Sequence, residues 1–102
     1  MEPETWYTLE HSPGPAWHHG VPTPEQDLSE HFAFLGMLKE RGLLVGAGPR
    51  PDRDGHGMTI IRWVDADEAR RLATEVDNSV VCGLLVVTVR PWRVVIGDRA
   101  LA

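Results

Sequence analysis

The sequence predicts an α+β domain whose strands and helices follow one another in the order βαββαβ. Three observations carry this prediction: a capped helix pattern over residues 24–41, a polar turn over residues 50–57 between two apolar runs, and a second capped helix pattern from Asp65 to Val76. Because 102 residues are enough for one compact core, we expect a single domain over residues 1–102.

The first segment, residues 5–11, is rich in strand-forming side chains, and the prolines that follow predict a loop over residues 12–22. This loop carries Trp17, His18 and His19. We interpret Trp17 as part of a ligand pocket, and the alternative is an exposed polar loop. Adjacent histidines seldom both reach one metal ion, and no cluster with ligand spacing accompanies them, so the sequence predicts no metal site.

The helix pattern over residues 24–41 begins with Thr23 as the predicted N-cap and Gln26 as the last residue of a Thr-x-x-Gln capping box. Gly42 is a natural stop signal at its other end. The apolar residues that recur on one face are Leu28, Phe32, Leu35 and Leu38. His31 lies on the same face, where an imidazole is either a satisfied core polar group or a working acid or base.

The apolar runs Leu43–Pro49 and Met58–Val64 predict the second and third strands, and an Asp-Gly pair in the turn between them is typical of a hairpin loop. The Gly-Ala-Gly of the second strand lacks a third glycine and does not open a helix, so it is not a dinucleotide-binding motif. We expect Arg50 or the backbone near Gly48 to hold a carboxylate or enolate group of a ligand.

A second capping box, Asp65 with Glu68, starts the helix that ends near Val76. These elements complete the ferredoxin-like split βαβ plan, in which an antiparallel four-stranded sheet carries both helices on one face. Asp77 follows the second helix, so this plan brings it close to His31. One hypothesis is a His31–Asp77 pair in which the carboxylate fixes the tautomer of a general base. The alternative is that His31 bonds a backbone carbonyl and Asp77 only starts a turn.

The last long strand is predicted over residues 80–89, with Cys82 as a buried structural thiol. Its apolar side chains point to both faces instead of alternating with polar ones. Since two helices cover only one face of the sheet, we predict a homodimer packed sheet to sheet. Pro91 interrupts this strand, so that residues 93–102 form a short strand and a C-terminal tail.

Composition excludes several classes of function. The formal net charge is −5 and no basic cluster is present, which argues against nucleic-acid binding. No run of residues is apolar enough for a membrane span, and the acidic N-terminal residues do not form a signal peptide. We therefore expect a cytoplasmic protein that does not bind membranes.

Several short motifs occur in a characteristic order: His31–Leu35, Gly42–Pro49, Asp54-Gly55, Glu68-Ala69, Asp77 with Gly83-Leu84, and Val89–Trp92. In order and spacing they resemble the YciI-like (YCII-related) family of dimeric α+β barrel proteins, over nearly the whole chain. The resemblance implies a ferredoxin-like protomer that dimerises through its sheet, with a His–Asp site at His31 and Asp77. The family usually has a proline after this aspartate, where the chain has Asn78.

Relatives on the same barrel include muconolactone isomerases and chloromuconolactone dehalogenases. The resemblance therefore suggests a lyase, isomerase or dehalogenase that needs no cofactor and acts on a small organic acid or lactone. His31 would be the general base and Asp77 its orienting partner, and the predicted substrate-binding residues are Trp17, Phe34, Gly48 and Arg50. The alternatives are a non-catalytic small-molecule-binding or accessory protein of secondary metabolism, and a structural domain without a ligand.

Overall fold

The computed structural model describes residues 4–97 and shows an α+β fold with a four-stranded antiparallel sheet and three helices. The strands are β1 (Glu4–Pro13), β2 (Leu44–Pro49), β3 (Gly57–Ile61) and β4 (Leu85–Val94), and the helices are α1 (Ser29–Glu40), α2 (Ala66–Arg71) and α3 (Asn78–Val81). The strand order is β2-β3-β1-β4. This confirms the predicted fold class and is compatible with a ferredoxin-like plan. Residues 98–102 of the predicted tail lie outside the described residues.

One face of the sheet carries the main hydrophobic core. Leu9 of β1, Leu38 of α1 and Leu72, which follows α2, are completely buried in the same cluster. Side chains from both long helical segments therefore pack on the same side of β1, as the sequence predicts. Within residues 4–97, no helix has the length and apolar character needed to cross a membrane.

The first helix begins later than predicted. Thr23–Glu25 forms only a 3₁₀ turn, and α1 starts at Ser29. The side-chain Nε2 of Gln26 donates to the backbone oxygens of His18 (2.8 Å) and Val21 (2.9 Å) instead of completing a capping box. Because this side chain is committed to the loop and its own backbone is extended, the helix cannot start at residue 24.

The predicted end of α1 at Gly42 is confirmed, but its predicted apolar face is only partly right. Gly42 adopts a positive φ of 75°, and the backbone nitrogen of Leu43 donates to the Leu38 oxygen at 2.9 Å, which is the expected glycine stop. The predicted apolar face is wrong in part, because Phe32 is 64% exposed while Phe34 is buried. The buried stripe of the helix is thus centred on Phe34 and Leu38, with His31 one turn before Phe34 at its edge.

The helix predicted from Asp65 to Val76 is present, although its second half is not α-helical. The capping box is confirmed in its main feature, since Asp65 Oδ1 accepts from the backbone nitrogen of Glu68 at 2.8 Å. Helix α2 then continues as a π-helical segment, Leu72–Val76, which ends at the extended residue Asp77. Asp77 in turn caps α3.

The prediction of a strand over residues 80–89 is therefore wrong at its start and at its end. Asp77 starts α3, and Gly83 ends the turn with a φ of 84°, so β4 begins only at Leu85. The strand then runs through Pro91, because β4 is an edge strand where a proline costs no internal ladder bond. Cys82 lies at the end of α3 and is exposed, contrary to the prediction of a buried strand thiol.

This change of boundaries removes the observation that predicted a homodimer. Residues 85–90 of β4 do alternate, with a buried Leu85 followed by an exposed Val86 and a half-buried Val87. The face of the sheet opposite the helices nevertheless exposes apolar side chains, since Val86 is 44% and Trp92 45% exposed. A homodimer through this face stays a prediction.

Gly14 allows a close approach of two backbone segments, and its substitution is the first testable consequence of the fold. A Cβ at Gly14 would overlap the Gly83 oxygen and lie 3.1 Å from the backbone carbon of Leu85. We expect Gly14→Ala to lower the free energy of unfolding by about 1–3 kcal/mol in urea denaturation. Gly36→Ala in α1 is the matched control, because open space surrounds that position and alanine favours helices. Equal stability of the two variants would contradict this account.

Candidate active site

A cavity of about 410 Å³ lies between α1, the loop that precedes it and the β2–β3 hairpin. Its larger apolar lining residues are Trp17, Leu28, Phe32, Leu35, Met58 and Leu85. Three imidazoles also line it, those of His11, His31 and His56. A cavity of this volume, mostly apolar with a few polar groups, is typical of a site for a small organic molecule.

His31 and Asp77 form a hydrogen-bonded pair at this cavity. The Nδ1 atom of His31 lies 2.9 Å from Asp77 Oδ2, across 46 residues of sequence. The first turn of α1 positions His31, whose side chain is 15% exposed, while Asp77 is completely buried behind it. The structure therefore brings together the two residues that the sequence singled out as a candidate pair.

The second oxygen of Asp77 is fixed by the start of α3. Asp77 Oδ1 accepts from the backbone nitrogen of Ser79 at 3.1 Å and from its hydroxyl at 2.6 Å. These contacts leave Oδ2 for the imidazole. They also show how the local backbone is fixed after the carboxylate: Asn78 is the first residue of α3, and Asp77 caps that helix.

A third residue, His11 of β1, contacts the same carboxylate oxygen. Its Nε2 atom lies 3.6 Å from Asp77 Oδ2, which is longer than a conventional hydrogen bond, so the contact is mainly electrostatic. The ring of His11 packs edge-on against that of His31, with centroids 4.7 Å apart and planes at 68°. This ring contact limits the rotation of His31 and so helps to orient it.

The electrostatics of this cluster keep Asp77 ionised. Burial by itself raises the pKa of the Asp77 carboxyl, but the His11 and His31 imidazoles and the Ser79 hydroxyl outweigh it and hold that pKa well below its usual value. An ionised carboxylate can only accept hydrogen bonds, so His31 Nδ1 carries the hydrogen of the 2.9 Å contact. In the neutral imidazole, Nε2 then keeps its lone pair, and no hydrogen bond among residues 4–97 engages it.

The same three residues also form a set of potential metal ligands. One donor atom each from His11, His31 and Asp77 lies within 4.8 Å of the others, and two imidazoles with one carboxylate suit zinc or non-haem iron. A tetrahedral zinc ion would hold its ligand atoms roughly 3.3 Å apart, given metal–ligand distances of about 2.0–2.1 Å. The 2.9 Å contact between His31 and Asp77 is shorter and has the length of a direct hydrogen bond. In the described arrangement His31 and Asp77 therefore share a proton through a direct hydrogen bond, which a bound metal ion would replace.

The other predicted ligand-binding residues lie in different places. Trp17 and Gly48 line the cavity. Phe34 does not line it and packs in the core, with its ring centroid 6.4 Å from that of His31. Arg50 is exposed and lines a separate depression beside Gly46 and Ile60. The cavity thus brings together Trp17, Gly48 and His31 without Phe34 or Arg50.

His11 is the site residue that the sequence reasoning missed. The signal was the period of the first strand, because Tyr7, Leu9 and His11 share a face of β1 and Leu9 is a core residue. Period two therefore placed an imidazole at the edge of the core, on the face that also receives both helices.

No family model and no curated protein matches this chain. The assignment of the site consequently depends on its geometry: a buried ionised carboxylate, two imidazoles and an adjoining apolar cavity. These features are typical of a site that moves a proton on a bound small molecule.

Proposed function

We propose that the chain is a YciI-like protein that removes a proton next to the carbonyl group of a small organic acid or lactone, with His31 as the general base. The observation that carries the proposal is the 2.9 Å contact of His31 Nδ1 with Asp77 at the cavity wall. It leaves Nε2 as the basic nitrogen on a residue that lines the cavity. Such a reaction needs a base but no electron acceptor, so we propose no cofactor.

The proposed step is a single proton transfer. The lone pair of His31 Nε2 takes a proton from the carbon next to the substrate carbonyl, and the C–H electron pair forms the enolate, with the charge on the carbonyl oxygen. His31 becomes an imidazolium, which the Asp77 carboxylate stabilises at 2.9 Å. If the proton returns to another carbon, the reaction is an isomerisation. If a leaving group departs from the enolate, the reaction is an elimination, as in a lyase or dehalogenase.

His11 supports this step as a positioning residue. Because its imidazole contacts both the Asp77 carboxylate and the His31 ring, it holds the pair in one arrangement. It also adds a second electrostatic partner for a carboxylate that is otherwise completely buried. A buried carboxylate without such partners would take up a proton and would no longer stabilise the imidazolium.

A ligand-binding protein without catalysis is the second candidate function. The mostly apolar wall of the cavity favours it, since Trp17, Leu28 and Leu35 provide contact area without chemistry. In this case the His31–Asp77 pair would donate or accept a hydrogen bond to the ligand, and no product would form.

We also propose that the protein acts as a homodimer. The support is the exposed apolar surface on the face of the sheet opposite the helices, where Trp92 packs edge-on against Trp6 and remains 45% exposed. Sheet-to-sheet packing of two copies would bury this surface.

The proposed reaction can be tested before its product is known. Proton abstraction in D₂O exchanges the acidic C–H of a bound lactone or ketone for deuterium, which proton NMR detects directly. We expect the protein to accelerate this exchange for members of a panel of small lactones, and His31→Gln to slow it by about 10²–10⁴-fold. His18→Gln is the matched control, since His18 is exposed and does not line the cavity. If His31→Gln exchanges deuterium as fast as the wild type, His31 is not the base. If the wild type binds a lactone without exchanging its C–H for deuterium, the second candidate function is favoured.

A further inference from the structure

We infer that the cavity selects an uncharged, mainly apolar carbonyl compound, such as a lactone, over the corresponding carboxylate. The inference rests on the proposed function and narrows its substrate class. It follows from the charges around the cavity and from the lining polar side chains, most of which are already hydrogen-bonded within the protein.

No lysine or arginine of residues 4–97 lines the cavity. Arg50, the cation that the sequence suggested for a carboxylate, does not line the cavity but lies beside it, with its guanidinium 3.7 Å from the sulfur of the lining residue Met58. A carboxylate ligand would therefore enter an apolar cavity without a permanent positive charge to compensate for its lost hydration. An unpaired buried carboxylate is strongly disfavoured.

Two carboxylates lie next to side chains that line the cavity. Asp77 is held ionised directly behind His31, and the Asp54 carboxylate accepts from the backbone nitrogen of Thr23, a lining residue, at 3.1 Å. Both carboxylates lie behind side chains that touch the cavity. The buried Asp77 carboxylate would repel a negatively charged ligand but not a neutral carbonyl compound, whereas the exposed Asp54 carboxylate is screened by solvent and adds little.

The polar lining groups other than imidazoles are already committed. The Gln26 amide donates to two backbone oxygens and accepts from the His18 nitrogen at 3.2 Å. The Thr23 hydroxyl contacts Asp54 and accepts from the Gly55 nitrogen at 2.9 Å. The imidazoles therefore remain as the hydrogen-bonding side chains for a ligand: His31 offers the lone pair of Nε2, and the N–H of His56 can donate to a carbonyl oxygen.

Phe32 shows how the ligand would be covered. Its ring lines the cavity although it is 64% exposed, so a large apolar side chain faces solvent at the mouth of an apolar cavity. A bound apolar molecule would contact this ring and remove its surface from water. The same exposure makes Phe32 a position where substitution spares the core.

The experiment compares a lactone with its own hydrolysis product. The probes are γ-phenyl-γ-butyrolactone and 4-hydroxy-4-phenylbutanoate, and their dissociation constants are measured by ¹⁵N NMR titration at about pH 8, above the ordinary imidazole pKa of about 6.5. We expect the lactone to bind at least about tenfold more tightly than the carboxylate. Equal or tighter binding of the carboxylate, or no binding of either probe, would overturn the inference.

Two variants separate the contribution of charge from that of shape. Phe32→Arg adds a cation at the mouth and should reduce the preference for the lactone at least about fivefold, whereas Phe32→Leu should retain it. An unchanged preference in Phe32→Arg would overturn the electrostatic argument. The preference should also persist in His31→Gln, because this substitution adds no cation to the cavity wall and leaves the Asp77 carboxylate in place. If the wild-type protein prefers the lactone but catalyses no deuterium exchange, the proposed base is wrong and the substrate class stands. If it catalyses the exchange but does not prefer the lactone, the substrate class is wrong and the proposed base stands.

Discussion

Asp77→Asn is expected to slow deuterium exchange by about 10²–10⁴-fold while the protein remains folded. The Ser79 nitrogen and hydroxyl both donate to one side-chain oxygen, so the asparagine must keep its own oxygen on that side. Its amide nitrogen then faces His31 and donates to Nδ1, which becomes an acceptor. The hydrogen of the neutral imidazole moves to Nε2, and the basic nitrogen no longer faces the substrate.

The tautomer of His31 provides a direct measurement of this effect. Nitrogen-15 NMR of the imidazole distinguishes a protonated Nδ1 from a protonated Nε2, and we expect Asp77→Asn to exchange the two. Ser79→Ala is the control, because it removes a hydroxyl from Oδ1 and leaves the carboxylate at Oδ2 beside His31. A wild-type tautomer together with wild-type exchange in Asp77→Asn would contradict the assigned role of the carboxylate.

Asp77→Ala is expected to lower the free energy of unfolding by about 2–4 kcal/mol at neutral pH. The substitution removes the cap of α3 and leaves the buried Ser79 hydroxyl and His31 Nδ1 without their partner. Since the pKa of Asp77 is lowered in the folded state, the carboxylate contributes its stabilisation above the ordinary pKa of 3.8 and loses it as the pH falls below that value. The difference between wild type and Asp77→Ala should therefore shrink as the pH falls from about 5 towards about 2.

The chain offers a matched control for this stability measurement. Asp27 repeats the same local contacts, since its Oδ1 accepts from the nitrogen of Ser29 at 3.2 Å and from its hydroxyl at 2.7 Å. It is exposed and has no imidazole on its second oxygen. Asp27→Ala should therefore be clearly less destabilising in urea unfolding. Similar losses for Asp27→Ala and Asp77→Ala would show that the imidazoles and burial add nothing.

The parts of the fold that depend on local chemistry were predictable from the sequence. Asp65 caps a helix through the nitrogen of Glu68, and Gly42 ends one with a positive φ, because these residues satisfy backbone groups a few positions away. The contact of His31 with Asp77 was also predictable, because the order of strands and helices brings α1 and the end of the second helical segment to one face of the sheet. Local signals and topology together were enough for these features.

The features that the sequence did not predict depend on contacts between distant segments. Thr23 and Gln26 have the pattern of a helix cap, but their side chains bond to the hairpin loop and to the preceding loop, and this competition delays α1. His11 reaches the site because β1 and α1 pack together, which no spacing along the chain reveals. The absence of Arg50 from the cavity likewise depends on which side of the hairpin its side chain occupies.

The π-helical segment Leu72–Val76 has a consequence for how this chain tolerates changes of length. A π turn accommodates one more residue than an α turn between the same fixed ends, and here one end is the packed Leu72 and the other is Asp77. Deleting the exposed Thr74 would let the segment close into a regular α-helix between these two ends, so that Asp77 would keep its place beside His31. The segment between Leu72 and Asp77 is thus a place where the chain can lose one residue and still hold the carboxylate at the site.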